Sequence, residues 1–153
     1  MGEISIRRLV PDDIGALGEM VGALARHHGD EPGAGDAELR RDCLGNDPWL
    51  TVWIADVAGT PVGYAACQRR VQMQFGRRGI ELHHLFVDAA RRGQGVGADL
   101  VGRVKEWAER EACEFVVVGT EPDNIRAQGF YLGLGFQQVA LDGVRFWLPV
   151  GPR

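Results

Sequence analysis

The sequence predicts a single α/β domain over residues 1–153, a mixed and mostly antiparallel sheet with helices on both faces. Three observations carry that expectation. An alternating strand runs straight into an amphipathic helix at the start of the chain. Two apolar runs joined by a tight turn make a hairpin. Further on, a strand, a glycine-rich turn, a helix and a second strand make a parallel crossover. A chain of 153 residues with 45% hydrophobic content is long and apolar enough to bury one ordinary core.

Taken in order, Ile4-Ser5-Ile6-Arg7-Arg8-Leu9 alternates as a strand does, and Pro11-Asp12-Asp13 starts a helix whose apolar positions are Ile14, Leu17, Met20, Val21 and Leu24. That helix gives out near His27-His28-Gly29, ahead of the glycine- and proline-rich loop 29–35, and a short helix follows over 36–44. Residues 49–57 and 61–68 read as two strands around the turn Ala58-Gly59-Thr60, with a third strand over 79–87. Leu100, Val101, Val104, Trp107 and Ala108 recur at helical spacing, and Phe115-Val116-Val117-Val118-Gly119 is a short apolar run suited to a buried strand. After a helix around Tyr131, residues 137–141 and 144–148 form a closing hairpin about Asp142-Gly143.

A net charge of −4 argues against nucleic acid as a partner and suits a cationic one better. With no apolar run of membrane-spanning length, and with Met1-Gly2-Glu3-Ile4-Ser5 lacking the regions of a signal peptide, the expectation is a cytoplasmic protein with no membrane association. Cys43, Cys67 and Cys113 are odd in number and lack ligand spacing, so they read as small apolar residues. His27 and His28 stand near Asp30 and Glu31, but adjacent histidines diverge on a helix, and no metal is expected.

The segment Leu85-Phe86-Val87-Asp88-Ala89-Ala90-Arg91-Arg92-Gly93-Gln94-Gly95-Val96-Gly97-Ala98 takes an apolar strand through a basic turn into a helix start. Backbone N–H groups then converge on one spot, the glycines remove side chains that would hold an anion off, and Arg91 and Arg92 add positive charge. A pyrophosphate fits such a spot. The chain lacks the Gly-Lys-Ser/Thr of a Walker loop, and the spacing by two of Gly93, Gly95 and Gly97 is not that of a dinucleotide fingerprint.

The run Arg92-Gly93-Gln94-Gly95-Val96-Gly97 resembles the Arg/Gln-x-x-Gly-x-Gly/Ala signature of the GNAT superfamily of acetyl-CoA-dependent N-acetyltransferases. A second stretch, Asn124-Ile125-Arg126-Ala127-Gln128-Gly129-Phe130-Tyr131-Leu132-Gly133-Leu134-Gly135-Phe136, is similar to that superfamily's Asn-x-x-Ala-x-x-Phe-Tyr-x-x-x-Gly-Phe helix. The resemblance implies acetyl-CoA as cosubstrate, with its pyrophosphate on the amides from Gln94 to Ala98. It also implies strand amides of Leu85, Phe86 and Val87 at the thioester, Asn124 on the pantetheine arm, and the Tyr131 hydroxyl at the sulfur. Two departures matter. Asp88-Ala89-Ala90 stands where relatives often carry proline, and Gly133 lies within the Tyr131 helix, where glycine costs roughly 1 kcal/mol against alanine.

Amide formation from a thioester needs a neutral amine, donors for the oxyanion and a proton for the thiolate. In Glu81-Leu82-His83-His84-Leu85-Phe86-Val87, a period of two puts Glu81 and His83 on one face and Leu82, His84 and Phe86 on the other. The resemblance implies a base among the first of these. Glu81 and His83 are taken together, with His83 favoured because an imidazole titrates near about 6.5. Tyr131, a phenol, is the acid. His84 reads as a packed histidine or a substrate contact, and Asp30 and Glu31 as pocket acids for a substrate cation. The activity implied is acetyl transfer to a primary amine by direct attack in a ternary complex. A polyamine, an aminoglycoside or an amino-acid-like molecule is the expected acceptor, with a protein or peptide N-acetyltransferase or a non-catalytic acetyl-CoA sensor as alternatives. A route through an acetyl-cysteine would need a reactive Cys67 or Cys113. A homodimer is left open.

Overall fold

The computed structural model describes residues 2–140 and 143–152. The segment up to Gly119 and the segment from Thr120 onward are separate compact units.

In the first unit the described residues form β1 (Ile4–Arg8), α1 (Ile14–His27), α2 (Asp36–Cys43), β2 (Thr51–Val57), β3 (Thr60–Gln72), β4 (Arg77–Val87), α3 (Val96–Arg110) and β5 (Phe115–Val118). The sheet order is β1-β2-β3-β4-β5, antiparallel from β1 to β4 and parallel between β4 and β5. Only the last pair is parallel because α3 lies between its strands in the chain, and a helical crossover returns the chain in the same direction. Period-two alternation then sends side chains to two covered faces. Val52, Ile54, Tyr64, Ala66 and Phe86 pack with Ile14, Leu17, Met20 and Leu24 of α1 and Leu39 and Cys43 of α2. Trp53 points the other way, its ring edge-on to Trp107 of α3 at 6.1 Å. Gly63 faces α3 too, and a Cβ there would stand 2.7 Å from the Phe86 carbonyl and 3.4 Å from Leu100 and Val96. No larger residue lets α3 lie so close to the sheet.

One corner is held by charge. Arg7 of β1 donates to both carboxylate oxygens of Asp13, at 2.7 and 2.9 Å, and to Asp56 of β2 at 3.0 Å. Asp13 also accepts from the Val10 N–H, and Asp56 from the Gly59 N–H. Both carboxylates are buried, and every oxygen has a donor, which is what makes their burial tolerable.

β3 and β4 run further than the sequence suggests. Arg69, Arg70, Val71 and Gln72 pair with Ile80, Gly79, Arg78 and Arg77, and a tight turn over 73–76 closes the hairpin with Gly76 at φ 62°. A polar run looked like the end of a strand, yet backbone pairing continues beyond the core because the ladder needs no burial. Trp49, expected to open β2, lies outside it and is 82% exposed.

In the second unit, α4 (Ile125–Gly133) is capped by Asn124, whose Oδ1 accepts from the Ala127 N–H at 3.1 Å. Gly133 is its last residue rather than an interior one, so the expected helix penalty does not apply. The described residues 137–140 and 144–148 of the expected closing hairpin carry no strand, and Leu141, the end of its first strand, and Asp142 of its turn lie outside the described residues. Among the described residues no helix is long and apolar enough to cross a membrane.

Candidate active site

The site grows out of an irregularity in β4. Opposite β3, Ala66 pairs with His84 while the next residue, Cys67, pairs with Leu82. His83 is therefore the extra residue of a β-bulge, and a bulge reverses the inward and outward alternation on its strand. The strict period assumed from sequence fails here. His84 and Phe86 remain together on the α1 side, but Leu82 follows Cys67 to the opposite face. His84, expected on the face away from His83, instead stacks on it, ring centroids 4.3 Å apart and planes within 8°.

Each of the three titratable residues of the strand then has a distinct setting. Glu81, opposite Gln68, is ion-paired with Arg70 across the hairpin. His84 bonds through Nδ1 to the hydroxyl of Tyr64 at 3.0 Å. Tyr64 is fully buried and burial pushes its phenol up, so it is the donor and His84 accepts on a neutral ring. Burial, with His83 and His28 nearby, pushes His84 down to about 4. His83 is exposed and lines a cleft of about 490 Å³ with Arg41, Asp42, Trp49, Leu50 and Gln68.

Beyond the bulge β4 loses a neighbour. β5 pairs with β4 from Gly79 to Leu82 and ends at Val118, so beyond the unpaired His83 residues 84–87 pair with β3 alone. Alternate N–H and C=O groups of that stretch face away from β3, with no strand to meet them among the described residues. The chain then turns tightly over Ala89–Arg91. Asp88 accepts from the Ala90 N–H, its carbonyl accepts from Arg91, and its own N–H bonds the Val62 carbonyl at 2.8 Å. These bonds constrain the turn where a proline ring would in relatives. Arg92 donates to the Val87 carbonyl at 3.2 Å.

Gly93 and Gly95 both have positive φ, at 77° and 85°, with nothing within 4 Å of where a Cβ would stand. Gly95 caps α3, and the first intrahelical bond is Asp99 N–H to the Gly95 carbonyl. The amides of Val96, Gly97 and Ala98 therefore precede the helical ladder, at the positive end of the helix dipole. Residues Gln94 to Ala98 can hold a pyrophosphate by main-chain donors, with Arg91 beside them. An open strand edge for an amide-bearing arm and a helix start for phosphates together fit acetyl-CoA.

Tyr131 of α4 has Phe130 and Phe136 edge-on to it at 5.2 and 5.4 Å, and burial pushes its phenol up to about 12. It stays protonated at neutral pH and can donate. Asn124 spends its oxygen on the cap, leaving its amide N–H groups for a ligand. Asp30 and Glu31 are exposed and are not among the residues lining the cleft; Asp42 is the carboxylate there. Burial pushes the Cys67 thiol up to about 12 and the Cys43 thiol up to about 11, which makes each a poor nucleophile. Among the described residues no group of three or more His, Cys, Asp or Glu is placed to hold a metal.

Sequence reasoning missed Trp49, Gln68, Arg41, Asp42 and Tyr64. An aromatic beside an apolar run reads as core whether or not it is covered, so Trp49 carried no signal. The bulge did carry one: two polar residues in succession, His83 and His84, interrupt an otherwise apolar strand.

The model of the acetyltransferase (GNAT) family matches residues 21–136. An uncharacterized N-acetyltransferase of Methanocaldococcus jannaschii is 32% identical over 102 residues, which is 66% of this chain and 44% of that protein. The chain thus spans less than half of that relative's length. The thialysine N-epsilon-acetyltransferase of Bos taurus is 26% identical over 149 residues, 91% of this chain and 87% of that one. An aminoglycoside N-acetyltransferase solved in complex with CoA has the same fold, at a TM-score of 0.78, 22% identity, and coverage of 97% of this chain and 96% of its own.

Proposed function

The chain belongs to the acetyltransferase (GNAT) family, and from that premise we propose that it transfers an acetyl group from acetyl-CoA to the primary amine of a small molecule. The observation that carries the reading is the divided pairing of β4: the half beyond the bulge is open along one edge and runs directly into the amides at the start of α3. Relatives named for thialysine and aminoglycoside acetylation support a small primary amine as acceptor.

When bound, acetyl-CoA supplies an activated acetyl thioester. Gln94 to Ala98 and Arg91 hold its pyrophosphate, and N–H groups among residues 85–87 donate to the carbonyl oxygen as it gains negative charge. His83 accepts the proton that the incoming ammonium must lose, since only a neutral amine has the lone pair that forms the C–N bond. Glu81 is engaged by Arg70 and serves the strand rather than the proton. As the C–S bond breaks the sulfur needs a proton, a role that the family resemblance gives to the Tyr131 hydroxyl. Attack is direct, in a ternary complex: burial makes the Cys43 and Cys67 thiols poor nucleophiles, and Cys113 is not among the residues lining the cleft beside His83.

Initial rates of thiol release with both substrates varied test this. Intersecting lines are expected. Parallel lines with an isolable acetyl-enzyme would refute the direct route, and tight acetyl-CoA binding with no thiol release on any amine would reduce the protein to a sensor.

A further inference from the structure

The cleft beside His83 constrains which amine can occupy it. At about 490 Å³ it has the size of a small-molecule site, and its lining divides into an apolar wall, Trp49 and Leu50, and a polar one. The polar wall carries almost no uncompensated charge. Asp42 is closed by Arg41 through two bonds of 2.8 and 3.0 Å, and Glu81 on the same sheet face is closed by Arg70. Asp30 and Glu31, the other acids considered for a substrate cation, do not line it. A polyamine or aminoglycoside brings several ammonium groups, which a carboxylate with no other cation beside it would attract most. Among the described residues the cleft offers none that is not already paired. What it does offer is the Trp49 indole, 82% exposed on a residue type usually well covered. An apolar ring laid on that indole removes both surfaces from water, and the indole face also tolerates one nearby cation.

We propose that the acceptor is a monoamine with an apolar, planar body, seated on Trp49 and Leu50 with its amine at His83. Gln68, in the same wall, supplies a neutral polar contact. This rests on the acetyl-transfer reading for its chemistry, but not for its binding preference.

The experiment compares 2-phenylethylamine, thialysine, spermidine and kanamycin on the full chain, by calorimetry and by thiol release from acetyl-CoA. Trp49→Ala and Trp49→Phe are run beside the wild type. The expected result is a kcat/KM for 2-phenylethylamine about tenfold or more above those for the other three. Trp49→Ala should raise KM for 2-phenylethylamine about fivefold or more at nearly unchanged kcat, and Trp49→Phe should restore it. Higher kcat/KM for spermidine or kanamycin overturns the proposal and leaves acetyl transfer standing, as does higher kcat/KM for thialysine, which would turn Arg41 toward a substrate carboxylate. Trp49-dependent binding of 2-phenylethylamine without thiol release upholds the preference and defeats the transfer reading. Equal affinity for 2-phenylethylamine in the wild type and Trp49→Ala, or no binding of it to either, overturns the proposal.

Discussion

The two halves of β4 differ in one respect that organises the rest of the site. Residues 79–82 are paired on both sides, to β3 and to β5, and there Ile80 and Leu82 are buried. Residues 84–87 are paired on one side only, next to an exposed His83 that the bulge leaves without a partner, and their outer backbone groups meet no strand among the described residues. The bulge at His83 divides them. A fully paired strand has its hydrogen-bonding capacity consumed by the sheet, so it stabilises and cannot bind. A half-paired strand continuous with it keeps that rigidity while leaving donors for a ligand.

If the second half is the reactive one, its largest vulnerability is His83. We expect His83→Ala to lower kcat by about 10²-fold or more while acetyl-CoA affinity changes less than twofold, because a general base acts on the acceptor's proton and not on the coenzyme. An unchanged rate would return the strand to a purely structural role.

Next in size is a stability effect that separates His84 from its neighbour. The folded chain holds His84 at about 4, below the unfolded value of about 6.5, so between those values the unfolded chain binds a proton that the folded chain does not. Stability should therefore climb with pH across that window, by about 1 kcal/mol per pH unit, level off above it, and be lost toward its acidic end. Denaturant titrations from pH 4.5 to 7.5 should show this slope in the wild type and a shallower one in His84→Gln. Identical slopes would mean that burial does not keep His84 neutral.

The continuation of the open half into the helix start is tested by Gly95→Glu, which places bulk and negative charge where phosphates would sit and forces a side chain into a positive φ. Calorimetry should show acetyl-CoA affinity reduced about tenfold or more, with thermal stability lowered only modestly. Equal affinity would remove the anion site from this turn.

The smallest effect should fall on the fully paired half. Glu81→Gln keeps the shape of the side chain and removes its charge opposite Arg70. The expected cost is about 0.5–1 kcal/mol of stability, since the pair is partly exposed, with kcat changed less than about threefold. A loss in kcat as large as that of His83→Ala would make Glu81 a partner in proton transfer and erase the division of labour along the strand.

Much of the molecule follows from local pattern alone. Alternation gave away β1, an apolar run before a tight turn gave β2, helical spacing gave α1 and α3 to within a few residues, and the glycines at 93 and 95 marked a turn that only small residues can make. These are properties of a few consecutive residues, so neighbours in sequence suffice to determine them. The proposed pyrophosphate site can be named from sequence for the same reason, as its candidate donors lie within one continuous stretch of backbone. The acceptor side is not. Whether Trp49 is covered depends on α2 and β3, whether Glu81 is available depends on Arg70 eleven residues earlier, and which way Leu82 points depends on the register with Ala66 and Cys67. Burial, ion pairing and register are relations between distant segments, and only the packed sheet decides them.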